Sequence, residues 1–199
     1  MDKIINTHLK TYLIGPMEKV ASGDNGRGWR DKLRPDLETL IDENGNTIYI
    51  FDPTIEENNK TGMTTKELHS KMDGWISAGH IDKVIEGMDI IWRGKTFTKK
   101  TDDEKRAELI HLLGDIDYVR NSDFIIARLE ENDSPCGTYG EALLAFERKI
   151  PIYLIQTMPK SKYNKSFLGW VYGSGGDIFD NPTQLIDFLK KKYKLKEKK

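Results

Sequence analysis

The 199-residue chain carries 31 basic and 32 acidic side chains, a net charge of -1, and 37% hydrophobic residues. That length supports one domain with some elaboration, and the balanced charge gives no electrostatic footing for a nucleic-acid partner. The single cysteine, Cys136, excludes an internal disulfide framework and suits a reducing compartment. No run approaches ~18 consecutive apolar residues and the amino end lacks a signal-peptide pattern, so a cytoplasmic protein without a membrane partner is expected. His8, His69, His80 and His111 are scattered without metal-ligand spacing, and no metal is expected.

Taken in order, residues 9–14 (LKTYLI) read as a first strand, and Gly15-Pro16-Met17-Glu18 turns the chain out of it. A glycine directly after the first strand of an α/β protein is placed to line a ligand site, with an ordinary tight turn as the competing reading. Pro16 and Met17 join it as substrate-binding candidates. Trp29, Leu33, Leu37, Leu40 and Ile41 recur at helical spacing over about 27–43, where Pro35 marks a break or a late start. Residues 47–51 (TIYIF) form the next strand. Asp52-Pro53 stops it at the same sheet edge as Gly15, which makes Asp52 a further candidate.

Residues 55–101 read as an insertion covering the site. Leu68, Met72, Trp75 and Ile76 predict one amphipathic helix, and Ile81, Val84, Ile85 and Met88 another. Trp75, Met88 and Trp92 either line its inner face or form the core of a helical layer. Residues 93–105 are polar and basic, and read as an exposed loop. Over 102–120 the positions Ala107, Ile110, Leu113, Ile116 and Val119 recur at three, which predicts a helix. Asp115 and Asp117 interrupt that face, and one of them is expected to point to the pocket. Strands are read at 123–129, 151–155 and 178–179, and Asn181-Pro182 opens a last helix bearing Leu185, Ile186 and Leu189. Residues 190–199 hold seven lysines and read as a solvated, frayed tail.

The chemistry concentrates between the strand at 123–129 and the one at 151–155, joined by a polar loop and a helix-length segment into a βαβ unit. The loop at the carboxyl end of such a strand is where ligands bind. Here Gly137 lets a ligand approach the backbone, Thr138 is placed to cap the helix, and Glu141 falls in its first turn. There the free N–H groups and the helix dipole would keep Glu141 ionised, as a nucleophile or a base. Thr138-x-x-Glu141 also fits a capping box, which would make the glutamate structural.

These stretches resemble the nucleoside 2-deoxyribosyltransferase family and its nucleotide-hydrolysing relatives, the 2'-deoxynucleoside 5'-monophosphate N-glycosidases. The likeness is carried by Tyr12-Leu13-Ile14-Gly15-Pro16, by Asp115-Ile116 with Asn121-Ser122-Asp123, by Gly137-Thr138-Tyr139-Gly140-Glu141-Ala142, and by Ser166-Phe167-Leu168-Gly169-Trp170. Residues 55–101 lie outside it. Where the transferases carry aspartates before the glutamate, this chain has Pro135-Cys136. Ser134 stands one step from the serine with which the hydrolases hold a phosphate.

The resemblance implies that Glu141 is the nucleophile at C1' of a deoxyribosyl group, trapping an oxocarbenium-like centre as an ester. It implies that Asp115 handles the base or orients the sugar, with Tyr12 hydrogen-bonded to Glu141 or to the sugar. It further implies a homo-oligomer in which Trp170 or its neighbours complete another subunit's site. Transfer of deoxyribose between bases is the expected activity, without a cofactor, and the partners are a nucleoside or nucleotide and a free base. Hydrolysis of a deoxynucleoside 5'-monophosphate, with Ser134 near the phosphate, is the nearest alternative. A Gly-Thr-x-x-Glu signature also occurs in cytokinin-releasing phosphoribohydrolases and ligand-sensing modules, so a nucleotide-binding sensor without turnover is the reading from another class. The expected architecture is one α/β domain over 1–199, doubly wound and flavodoxin-like, with about five mostly parallel strands, helices on both faces and a helical insertion.

Overall fold

The structure is a computed structural model that describes residues 8–17, 26–100, 107–131 and 135–198. Its contacts divide the chain into two compact units, one of Met1–Asp52 with Asn121–Lys199 and one of Pro53–Arg120.

The first unit is built on a five-stranded sheet of β1 (Lys10–Ile14), β3 (Tyr49–Phe51), β6 (Phe124–Arg128), β7 (Ile152–Ile155) and β8 (Asp177–Phe179). Every pairing is parallel, in the order β3-β1-β6-β7-β8. Counted along the chain this is 2-1-3-4-5, the flavodoxin-like doubly wound order. The central strands are apolar on both faces, as strands covered twice must be. Leu13, Phe124, Ile126, Tyr153 and Ile155 point into a core shared with α1 (Arg27–Glu38) and α8 (Pro182–Tyr193), through Trp29, Leu33, Leu37, Leu185 and Leu189. The alternate residues Tyr12, Ile14, Ile125, Ala127, Ile152 and Leu154 are equally buried and face the other way. On that side lie α6 (Cys136–Glu147) and α7 (Lys165–Gly173), which pack on β1, β7 and β8 and on each other.

Two expectations within this unit are corrected. The helix read over 27–43 ends at Glu38, and Leu40–Ile41 form a short strand, β2. Pro35 does not break α1, which runs through it to Glu38 with the proline on its exposed side. The lysine-rich tail is not frayed. After α8 the chain reverses at Lys194, buries Leu195, and pairs Lys196–Glu197 (β9) antiparallel with β2. An apolar side chain and a backbone ladder outweigh the local charge.

The second unit comprises α2 (Pro53–Thr61), α3 (Thr65–Ser77), α4 (Ile81–Arg93), β4 (Lys95–Lys100), β5 (Ala107–Leu112) and α5 (Asp115–Arg120). Thr64 and Glu67 close a capping box on α3. Trp75, Met88 and Trp92 pack against Leu68, Met72 and Ile91, so they belong to the core of this helical layer. The helix predicted over 102–120 is shortened to Asp115–Arg120, and the loop predicted over 93–105 contains a strand. Lys95 to Lys100 pair antiparallel with Ala107 to Leu112. The period of three in 107–119 was a local signal, and the cross-strand ladder overrode it. Two glycines permit the junction: a Cβ on Gly94 (φ 81°) would fall 2.0 Å from the Leu112 carbonyl oxygen, and one on Gly114 would fall 2.4 Å from the Gly94 nitrogen.

Candidate active site

In the first unit the chain proceeds from β1 outward to β3 and then returns to β6 on the other side of β1. The connections leaving β1 and β6 therefore diverge, and a doubly wound sheet opens its ligand crevice outside the carboxyl ends of those two strands. Tyr12 on β1 and Glu141 on α6 meet beside this switch point. The Tyr12 hydroxyl donates to Glu141 Oε1 at 2.8 Å, joining residues 129 positions apart. Tyr12 is wholly buried and Glu141 is 7% exposed. A carboxylate removed from water needs such donors, and one from a rigid phenol on a central strand also fixes its orientation.

The structure changes the account of how Glu141 is held. α6 begins at Cys136 with Pro135 at its N-cap and no side-chain cap. Thr138 is the third helical residue and Glu141 the sixth, so neither acts as a cap and the capping-box reading fails. The helix starts before the threonine because Thr138, Glu141, Ala142 and Ala145 form one buried face at helical spacing, and packing that face against the sheet extends the helix toward its amino end. Gly137 is likewise an exposed helical residue rather than a loop glycine. Ser134 lies outside the described residues.

Gly15 serves close packing. A Cβ there would lie 2.8 Å from the Arg128 carbonyl oxygen and 3.1 Å from the Trp29 ring. Pro16 is buried and Met17 half-buried after it. The Gly15 turn is held by a residue that the sequence reading passed over. Arg30 is fully buried and stacks 4.7 Å from the Trp29 ring centroid. It donates to the carbonyl oxygens of Leu13, Gly15 and Gly26, at 2.9 Å for Gly15 and 2.6 Å for Gly26. The signal was available, since Arg30, Leu33 and Leu37 share the apolar spacing of α1, where a charge demands partners. Asp52, buried at the end of β3, is engaged by Arg30 Nε at 4.0 Å and Arg34 Nη1 at 3.6 Å. Arg34 has a nearer partner in Glu38, at 2.7 Å, so Asp52 chiefly balances the charge of the fully buried Arg30.

Half-buried Trp170 on α7 lies edge-on to Tyr139, with centroids 6.2 Å apart, and to Phe167. Burial raises the Tyr139 phenol above its ordinary pKa. This aromatic group was not foreseen as a unit, because Tyr139 and Trp170 sit on different helices.

Asp115 belongs to the second unit, at the first residue of α5. It is buried, and Lys60 Nζ lies 3.3 Å from its Oδ1. Lys60 also donates to the Ile91 carbonyl at 3.1 Å and sits over the Tyr118 ring. Beside this pair Glu57 is buried and accepts from the Thr65 hydroxyl at 2.9 Å. Asp117 instead meets His111 Nε2 at 3.6 Å near the surface.

Among the described residues no group of three or more His, Cys, Asp or Glu side chains is arranged to hold a metal ion. Among them no helix is long and apolar enough to cross a membrane. No protein-family model matches the chain, and no curated protein matches it.

Proposed function

We propose that the protein cleaves the N-glycosidic bond of 2'-deoxynucleosides and transfers the deoxyribosyl group to another base through Glu141. The observation that carries this reading is the buried hydrogen bond from Tyr12 to Glu141 at 2.8 Å, beside the switch point of the sheet. Glu141 has no part in capping its helix, and the expense of burying a carboxylate there calls for a chemical role. Departure of a base leaves positive charge spread over C1' and the ring oxygen of the sugar. An adjacent carboxylate stabilises that charge and can close on C1' as a covalent ester, which an incoming base then opens with recovery of the carboxylate. Tyr12 is a positioning residue in this scheme, holding one carboxylate oxygen so that the group keeps one orientation.

The resemblance to the deoxyribosyltransferases supplies the substrate class and the choice of transfer over hydrolysis. It also supplies the homo-oligomer and base handling by Asp115, while the single cysteine suits a cytoplasmic setting. With Lys60 beside it, Asp115 would act as a hydrogen-bond acceptor.

Chromatography of purified protein with deoxyinosine, with and without adenine, tests the reading, with dIMP and dCMP run alongside. Deoxyadenosine formed only in the presence of adenine is the expected result. The Glu141→Gln variant should lose at least about 10³-fold in rate and retain the circular dichroism of the wild type. Free base released from the monophosphates alone would replace transfer by hydrolysis. Ligand binding without turnover would leave a sensor and remove Glu141 from catalysis.

A further inference from the structure

Gln156 follows the last residue of β7 and extends its ladder, its N–H donating to the Phe179 carbonyl at 2.8 Å. Tyr153 and Ile155 point into the α1/α8 core. Alternation therefore turns Ile152, Leu154 and Gln156 to the opposite face, the one that carries α6, α7 and the Tyr12–Glu141 pair. Ile14, Ala127 and Leu154 form one row across β1, β6 and β7, and Gln156 stands one row beyond it, at the carboxyl edge. Only β6 separates β7 from β1, which sets the two strands about 10 Å apart, and Gln156 stands two same-face rows, about 13 Å along the sheet, beyond the row of Tyr12, Ile125 and Ile152. The backbone after Gln156 is pinned as well. The Thr157 hydroxyl donates to the Leu129 carbonyl at the end of β6, and the Thr157 N–H donates to the Tyr163 hydroxyl at 2.9 Å.

In this fixed setting the Gln156 side-chain oxygen, Oε1, is buried and has no hydrogen-bond partner among the described residues. Native proteins satisfy the large majority of such atoms, and leaving one unmet costs about 1–3 kcal/mol. Ligands of doubly wound sheets bind at the carboxyl edge, where a donor on the ligand would complete this acceptor. We propose, on the deoxynucleoside reading above, that Gln156 is a specificity-determining residue of the Glu141 site, its Oε1 accepting a hydrogen bond from the substrate. Deoxyadenosine offers three donors for it, the exocyclic amino group of the base and the 3'- and 5'-hydroxyls of the sugar.

Two variants test the assignment. Gln156→Leu removes the polar atoms at similar volume, and Gln156→Glu keeps an acceptor. Free of ligand, Gln156→Leu should melt about 2–4 °C above the wild type, because the unmet oxygen is gone. With deoxyadenosine its KM should rise about tenfold at unchanged kcat, and Gln156→Glu should restore most of the loss. Deoxyinosine, which carries a carbonyl in place of the amino group, identifies the donor. A penalty confined to deoxyadenosine assigns the amino group. A penalty shared by both and absent with 2',3'-dideoxyadenosine assigns the 3'-hydroxyl, and one shared by all three assigns the 5'-hydroxyl. A melting temperature equal to or below that of the wild type, or KM values of Gln156→Leu equal to those of the wild type with all three compounds, overturns the role of Gln156 while wild-type turnover leaves the reaction standing. Wild-type protein that neither binds nor converts any of the three overturns the deoxynucleoside reading and this assignment with it.

Discussion

At the scale of single residues, Tyr12 and Arg30 show two uses of a buried polar side chain. Tyr12 offers one donor to one carboxylate, so its deletion should be felt in the rate more than in the fold. Tyr12→Phe keeps the buried ring and is expected to lower kcat by about 10–100-fold, the worth of a hydrogen bond to a charged group. Steady-state kinetics beside thermal melting would separate the two effects, and an unchanged kcat would remove Tyr12 from the chemistry. Arg30 instead joins the end of β1, the start of α1 and the end of β3 through three carbonyl oxygens and Asp52. Arg30→Met leaves those acceptors without their donor, and Asp52 short of charge. The expected loss is about 3–5 kcal/mol, read from urea unfolding. A loss below about 1 kcal/mol would show that the network is not what holds the Gly15 turn.

Among the elements, the tail strand is expected to pair in a pH-dependent way. Lys190 on α8 reaches Glu197 on β9, and Lys198 N donates to the Thr39 carbonyl at 2.7 Å. The Lys190 hydrogen bond lowers the Glu197 pKa, and the same contact raises that of Lys190. A lowered carboxylate contributes stability that is present above its unfolded pKa and lost as pH falls through the folded one. A raised ammonium contributes stability that is present below its unfolded pKa and lost as pH rises through the folded one. Pairing of β2 with β9 should therefore hold through the neutral range, weakening in acid below the ordinary glutamate range and in base above the ordinary lysine range. Amide exchange at residues 195–198, corrected for intrinsic rates, would measure it. A flat protection profile across both limits would mean that Leu195 and the ladder suffice alone.

For the whole molecule, two compact units with separate cores imply two stabilities. Lys60 and Asp115 are buried together in the unit of Pro53–Arg120, and Lys60→Met strands the carboxylate. That should cost about 3–5 kcal/mol, and the cost should fall on this unit. Amides of α2, α4 and α5 should lose protection in native-state hydrogen exchange, while those of β1, β6 and β7 keep theirs. Uniform loss over both sets would show that the chain unfolds as one cooperative block.

Much of the sheet and part of the site were legible along the chain. The apolar runs at 9–14, 123–129 and 151–155 announce buried parallel strands because burial on both faces needs apolar side chains at every position. Asn181-Pro182 announces its helix because cap chemistry is local. Glu141 stood out by its position, as a carboxylate following a strand and loop, whereas Tyr12 was singled out by the resemblance to the deoxyribosyltransferases. What only the tertiary structure decided is whatever depends on a partner distant in sequence. The packed face of α6 placed Glu141 in the second turn and so removed its capping role. Ladders to Lys95–Lys100 and to Leu40–Ile41 turned an expected helix and an expected frayed tail into strands. Arg30, Lys60 and Gln156 gained their meaning from the carbonyls, carboxylates and unmet oxygen that folding brought to them or left beside them. Periodicity records which face of an element is apolar, whereas the pairing of buried polar groups is set by contacts that the folded chain alone creates.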